Sequence, residues 1–472
     1  MSKKLTLIFA LAMLVGFVLP AFAEVQNVKV SGDITIYGIY RDEYDLDDRA
    51  DSDASDDHGF YASITRLRVD ADLTDNVQAT VRLYNERDWD QEDAYADETQ
   101  INLDLAYLTL KEMLYSPLTL VLGRQNLRFG NALIVGDPDT NARIVTDENG
   151  LGDTMAEDLS ARKAFDALRA TLDYAPWTID LILAKIDETE QAYSATSGED
   201  EDLYGVNVGY KFGSYNAEAE AYFFAKDSDT EISSLSSGTT GISITQGGDI
   251  YNFGLRGSVE PIKGLNLSGE IALQRGDAQE SGGTSRDQKA WALDLDGSYT
   301  WDVEYAPSLG IGYSFRSGEE AGNSGDYEAW NPMYEDQTNG IVADYIFSGV
   351  NGGVNSNASI IKVYGSIKPT KDITLAAKYY NYRLDEKLVS SDNTSVSYPS
   401  ANLGSRYYVM KAKEDLGDEI DLIATYNYTE DVTFGLSAGW FFPGNALEGE
   451  SGGVKRNDDD ALSIVGSVKV VF

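Results

Sequence analysis

The feature that most constrains this chain is the way its connections alternate. Tight turns fall at Thr74-Asp75-Asn76, Tyr115-Ser116-Pro117, Ala175-Pro176, Gly213-Ser214, Pro261–Gly264, Trp301-Asp302, Pro369–Asp372 and Thr429-Glu430-Asp431. Long polar loops fall at approximately 42–58, 87–98, 128–163, 187–201, 227–248, 277–286, 317–356, 385–413 and 443–458. Eight turns interleaved with nine loops leave 18 intervening segments of about ten residues. If each is a strand, every turn lies at one end of the sheet and every loop at the other.

The segments themselves read as strands. Val28, Val30, Ile34, Ile36 and Tyr40 alternate with Lys29, Ser31, Asp33, Thr35 and Arg41. Leu67, Val69, Ala71 and Leu73 oppose Arg66, Arg68, Asp70 and Asp72, and Trp291, Leu293, Leu295, Gly297, Tyr299 and Trp301 oppose Ala292, Asp294, Asp296, Ser298 and Thr300. A two-residue period places each set on its own face of a sheet. Aromatic residues gather at the strand ends of the apolar face, at Tyr40, Trp177, Tyr215, Trp301, Trp440 and Phe442. That is the pattern of interfacial girdles on a lipid-facing surface rather than of a sandwich core. The expected fold class is therefore all-β: a transmembrane antiparallel up-and-down β-barrel of 18 strands, with short periplasmic turns and long extracellular loops. A barrel of that size is wide enough to enclose a water-filled lumen.

Targeting and composition agree. Lys3 and Lys4 precede an apolar run from Leu5 to Leu19 and a small-x-small site at Ala21-Phe22-Ala23. This reads as a signal peptide over residues 1–23, with a single barrel domain over 24–472. The final amphipathic strand, Ser463–Phe472, has a terminal Phe472, which looks like the signal read by the barrel-assembly machinery. With 78 acidic against 37 basic residues the formal charge is −41, which argues against nucleic acid as a partner. The absence of Cys removes thiolate chemistry and disulfide frameworks. The lone His58, in an acidic segment, offers little to acid–base catalysis, so no enzyme activity is expected. No cofactor or metal site is expected either: Asp51-x-Asp53-x-Ser55 lacks the Gly and the closing Glu of a calcium loop.

The polar phase supplies candidate lumen residues. Arg66, Arg68, Arg82, Arg169 and Arg256 lie on it with Lys211 and Lys378, as fixed positive charges able to bind carboxylates or phosphates. Glu218, Glu220, Glu270, Asp294, Asp296 and Asp421 share that phase, so each inward pair can equally brace the wall. The loops are acidic. Residues 42–57 hold nine acids and one base, and 187–202 hold seven acids and no base. Such a mouth concentrates cations within about 8 Å at physiological salt, or bridges divalent ions to neighbouring lipopolysaccharide.

Three stretches carry a family resemblance. They are Asp104–Gly136, with Ala106-Tyr107-Leu108-Thr109-Leu110-Lys111 and Gly123-Arg124-Gln125-Asn126-Leu127-Arg128-Phe129-Gly130; Ser314–Asp336, with Trp330-Asn331-Pro332-Met333-Tyr334; and Gly417–Gly444, with Trp440-Phe441-Phe442-Pro443-Gly444. From about residue 100 onward the chain resembles the alginate export family of outer-membrane porins. The resemblance implies an 18-stranded barrel in the cell outer membrane and an arginine-rich conduit with acidic partners. Within that conduit Arg66, Arg68 and Arg82 are the best local candidates, and Arg124 is carried over by motif. Arg124 shares its parity with Leu118, Leu120 and Leu122, and so needs a bulge after Gly123 to reach the lumen. The implied function is passive passage of hydrophilic solutes, including an anionic polysaccharide such as alginate. The rival reading is a structural or adhesive barrel with cation-binding acidic loops.

Overall fold

The computed structural model describes residues 26–44, 46, 57–89, 101–138, 157–188, 200–228, 248–280, 284–347, 353–400, 404–451 and 453–472. The signal-peptide reading, most of the acidic 42–57 loop, the Asp51–Ser55 stretch and the His58 side chain lie outside the described residues. Eighteen strands form one sheet. They are β1 Asn27–Asp42, β2 Asp57–Thr74, β3 Val77–Asp88, β4 Asn102–Lys111, β5 Leu118–Asn126, β6 Ala164–Tyr174, β7 Trp177–Glu188, β8 Asp200–Lys211 and β9 Glu218–Ser228. There follow β10 Ile250–Ile262, β11 Leu265–Glu280, β12 Thr284–Thr300, β13 Ser308–Arg316, β14 Ala358–Ile367, β15 Ile373–Arg383, β16 Asp415–Asn427, β17 Val432–Pro443 and β18 Ala461–Val471.

Each strand pairs antiparallel with its chain neighbours, and β18 returns to β1 from Asp33↔Val471 to Asp42↔Leu462, which closes the barrel. Phe472 completes the seam by exchanging backbone hydrogen bonds with Gly32 at 2.8 and 2.9 Å. Closure leaves no unpaired sheet edge, the condition for a sheet to sit in hydrocarbon.

Burial follows the two-residue period. Val28, Val30, Ile34, Ile36, Leu67, Leu181, Leu183, Leu255, Trp291, Leu295 and Leu436 are all exposed on the outside of the barrel. Of the expected girdle aromatics, Tyr40, Trp177, Tyr215, Trp301 and Phe442 are exposed at the ends of that band, while Trp440 is half-buried. Connections alternate short and long as the sequence indicates, with one exception. The expected loop at 277–286 is mostly strand, because β11 and β12 pair on from Asp277↔Asp287 to Glu280↔Thr284. Apart from Ala278 these residues are polar or Gly in both phases, so no alternating hydropathy marks the strand there. Two small hairpins, Thr394–Ser400 with Gly404–Met410 and Glu450–Ser451 with Val454–Lys455, decorate the last two long loops.

Candidate functional site

The inward phase of the wall is a set of ion pairs. On β2 the Arg66 guanidinium donates to Asp33 of β1 through Nε (3.0 and 3.1 Å) and Nη2 (3.0 Å). Arg68 donates to Asp70 at 2.7 and 2.8 Å and to the Tyr107 hydroxyl at 3.4 Å. Arg82 of β3, directly across the rung from Arg68, pairs with the buried Asp104. Arg169 donates to Asp180 at 2.8 Å and lies over the Phe129 ring. Arg256 donates to Glu220 at 2.6 Å and to Asn131 at 2.9 Å. Each of these expected lumen arginines therefore has a carboxylate within bonding distance, which is the bracing arrangement and a charge-assisted one.

The other candidates are dispersed. Asp294 accepts from Nη1 and Nη2 of Arg316, each at 3.0 Å, and Asp296 accepts the Tyr364 hydroxyl at 2.6 Å with the Lys362 ammonium 3.8 Å away. Lys211 sits exposed at the turn end, 3.6 Å from Glu218. Lys378 faces Asp421 across the β15–β16 rung. Arg124 departs from expectation. Gly123 does adopt a left-handed φ of +119°, yet Arg124 stays opposite Asp166 and pairs with it at 3.0 Å. That rung continues the phase of Leu122–Leu168 and Leu168–Leu183, the phase of the apolar exterior. Arg124 therefore does not join the lumen cations.

The largest departure from a plain tube is that two loops fold inward and dock on the wall. Residues 127–138 bury Leu127, Phe129, Leu133, Ile134 and Val135 against inward side chains such as Phe165, Ile182, Tyr222 and Phe224, and Trp330, Met333 and Tyr334 of the 317–347 loop join the same cluster. The two loops pair with each other in parallel at Val135↔Tyr334. Further along, Val342, Ala343, Ile346 and Phe347, around the one-turn helix Ala343–Ile346, pack on Tyr380, Tyr382 and Phe441 of β15 and β17.

Wall side chains pin this insert by its backbone. Glu270 of β11 accepts the Asn131 N–H at 2.9 Å and the Tyr222 hydroxyl at 2.7 Å. Gly130, at φ +56°, passes so close that a Cβ there would meet the Glu270 carboxylate at 2.9 Å. Gln274 brackets Asn331, accepting from its N–H at 2.9 Å and donating to its carbonyl at 2.6 Å, and Gln288 donates to the Ala329 carbonyl at 2.8 Å. Glu419 of β16 accepts the N–H groups of Ile341, Val342 and Ala343 at 2.5, 2.9 and 2.8 Å. Of two acids in the insert, Glu335 is buried and Asp344 half-buried. Burial pushes the Asp344 carboxyl up to about 7, against a weak opposing bond from the Asn339 N–H, and burial also holds Glu335 well above the usual carboxylate range.

Docking also gathers cations that the sequence reading left in a loop. Arg128 and Lys163 both pair with Asp336, and Lys163 lies 3.8 Å from Asp137. Arg162 lies 3.9 Å from Glu86 of β3, which also accepts the Ala161 N–H at 2.6 Å and the Ser160 hydroxyl at 2.8 Å. The available signal was position: the bases flank the 128–163 loop at its two hinges, where the chain is still beside the wall.

Comparison with known proteins places this geometry. The solved structure of OpdQ from Pseudomonas aeruginosa has the same fold, with a TM-score of 0.52 at 12% identity, covering 95% of this chain and 100% of that one. The outer membrane protein OprD from Pseudomonas aeruginosa matches with a TM-score of 0.52 at 11% identity, over 95% of this chain and 96% of that one. OccK2 (OpdF) of the same organism, solved in complex with glucuronate, matches with a TM-score of 0.50 at 10% identity, over 95% and 99%. No curated protein matches the chain. The family described as Alginate export matches residues 36–458, nearly the whole barrel. The closed 18-stranded wall with its apolar exterior and that match together make the chain an outer-membrane β-barrel and a member of the alginate export family.

Proposed function

We propose that this barrel is a passive channel for hydrophilic solutes and that its preferred cargo is an anionic carbohydrate of the uronate type, alginate included. The observation that carries the reading is one arc of cations. Arg66 and Arg68 on β2, Arg82 on β3 and Arg169 on β6 line the wall, and Arg128, Arg162 and Lys163 join them from the docked loop. The family and the glucuronate complex of OccK2 support it.

The pairing of each cation suits transport. A guanidinium carries five N–H donors, so one already paired with an Asp can still donate to a passing sugar carboxylate. The solute is then held strongly enough to enter and weakly enough to leave. Orientation and charge do the work, with no chemical step. Residues 24–472 are taken as the single barrel domain, and the exposed Phe472 as its handle for the assembly machinery. A second reading, a sealed structural barrel, is favoured by the docked loops with their buried side chains. Uptake into proteoliposomes decides between them. Uronate oligomers should enter faster than neutral oligosaccharides of equal length; equal rates would remove the carbohydrate preference, and exclusion of both would support the sealed barrel.

A further inference from the structure

The Arg124–Asp166 pair belongs to a longer row. Asp166 faces Lys185 across the next rung, Lys185 faces Asp202, and the Lys185 ammonium lies 2.6 Å from the Asp202 carboxylate, which also accepts the Tyr204 hydroxyl at 2.9 Å. Basic and acidic side chains thus alternate at one level across β5, β6, β7 and β8. The row is on the outside of the barrel. One step toward the turn end, Leu122, Leu168, Leu183 and Tyr204 occupy the same four strands in the same phase, with Leu183 exposed.

The height of the row is set by counting. On β7 the outward residues run Trp177, Ile179, Leu181, Leu183 and then Lys185. Eight residues on a tilted strand climb roughly 20 Å from the turn-side tryptophan, close to the full apolar band of such barrels. On all four strands the apolar phase ends in charge at this rung. On the loop side of an outer membrane that level is the headgroup layer of the outer leaflet, whose lipid is a phosphorylated glycolipid.

We propose that the Arg124–Asp166–Lys185–Asp202 row is a binding site on the barrel exterior for the phosphorylated disaccharide headgroup of lipopolysaccharide. Arg124 and Lys185 are two strands apart, roughly 10 Å, the scale of a disaccharide carrying a phosphate at each end. Both are partly exposed, at 30% and 48% of the side chain. Each cation can donate to a phosphate oxygen while keeping its carboxylate neighbour. Asp166, 60% exposed, stands between them, where a divalent ion can join it to the same headgroup. The site concerns anchoring in the leaflet and is independent of what passes through the lumen.

The test is lipid retention. Barrels extracted from outer membranes in mild detergent, weighed by native mass spectrometry, should carry lipopolysaccharide. Arg124→Ser with Lys185→Ser should lower that retention at least tenfold. Arg124→Lys with Lys185→Arg should preserve it, which guards against a folding effect. Arg383→Ser, removing an exposed cation 3.5 Å from Glu414 on another part of the barrel, should leave it unchanged. In exchange experiments diphosphorylated lipid A should compete, whereas its dephosphorylated form should not. Equal retention by the double Ser variant, equal competition by the dephosphorylated lipid, or displacement by anionic phospholipid at the same concentration would overturn the proposal.

Discussion

The carboxylate of Glu419 accepts the main-chain N–H of Ala343 at 2.8 Å, so a side chain of the barrel wall caps the one-turn helix of a loop lying inside the barrel. Glu419 is fully buried and takes the Ile341 and Val342 N–H groups as well. The bond joins residues 76 positions apart and fixes the insert to β16, three strands round the barrel from β13, which launches it.

Removing that cap should free the insert. Glu419→Ala leaves the buried N–H groups of Val342 and Ala343, and the half-buried one of Ile341, without that acceptor, each buried donor costing about 1–3 kcal/mol. The reconstituted variant should show faster proteolysis within 335–347 and a higher single-channel conductance than the parent. Unchanged cleavage and conductance would show that Glu419 does not hold the loop.

The arginine arc makes a charge prediction with an internal control. Replacing Arg66, Arg68 and Arg82 together by Ser leaves Asp33, Asp70 and Asp104 uncompensated in the lumen and should move the reversal potential in a KCl gradient toward cation selectivity. Adding Asn at the three aspartates should restore the parent value. If the triple Ser variant keeps its reversal potential, these residues lie off the permeation path.

The docked loop should respond to pH. Asp344 is raised by burial to about 7 in the folded barrel, above the value it has when the loop is released into water. A raised acid favours the docked state at low pH. That contribution is complete below the ordinary carboxylate range and is lost as pH rises to about 7. Glu335, also raised, acts in the same direction, and Glu419, Asp158 and Asp336 add negative charge around Asp344. Proteolysis of 335–347 should therefore be slower at pH 5 than at pH 8, with Asp344→Asn weakening the difference. A pH-independent rate would contradict this account.

Trp330 tests whether the insert is packed rather than merely resting on the wall. It is fully buried among inward wall residues and Met333. Trp330→Ala should destabilise that packing by about 3–5 kcal/mol, while Trp330→Phe should lose much less. Denaturant unfolding monitored in micelles reads the difference, and equal midpoints for the two variants would deny the packing.

The wall was legible because lipid and water impose a strict period. Trp291 and Leu295 point out and Asp294 and Asp296 point in, as their alternation requires. The interior was not legible. Glu270 with Asn131 and Gln274 with Asn331 are pairings over long sequence distances, and polar loop residues carry no period that reports on docking. The same limit hid Arg128, Arg162 and Lys163, whose common location depends on how the loops fold back. Arg124 shows the converse: its parity with Leu122 was the correct guide, and the motif suggested otherwise.

The most direct measurement is single-channel recording from the purified protein in a planar lipid bilayer, with uronate oligomers added to one side. Stepwise ohmic current is expected, interrupted by oligomers in a concentration-dependent way, with the block relieved by the Arg66, Arg68 and Arg82 substitutions. A flat baseline from inserted, folded barrels would contradict it.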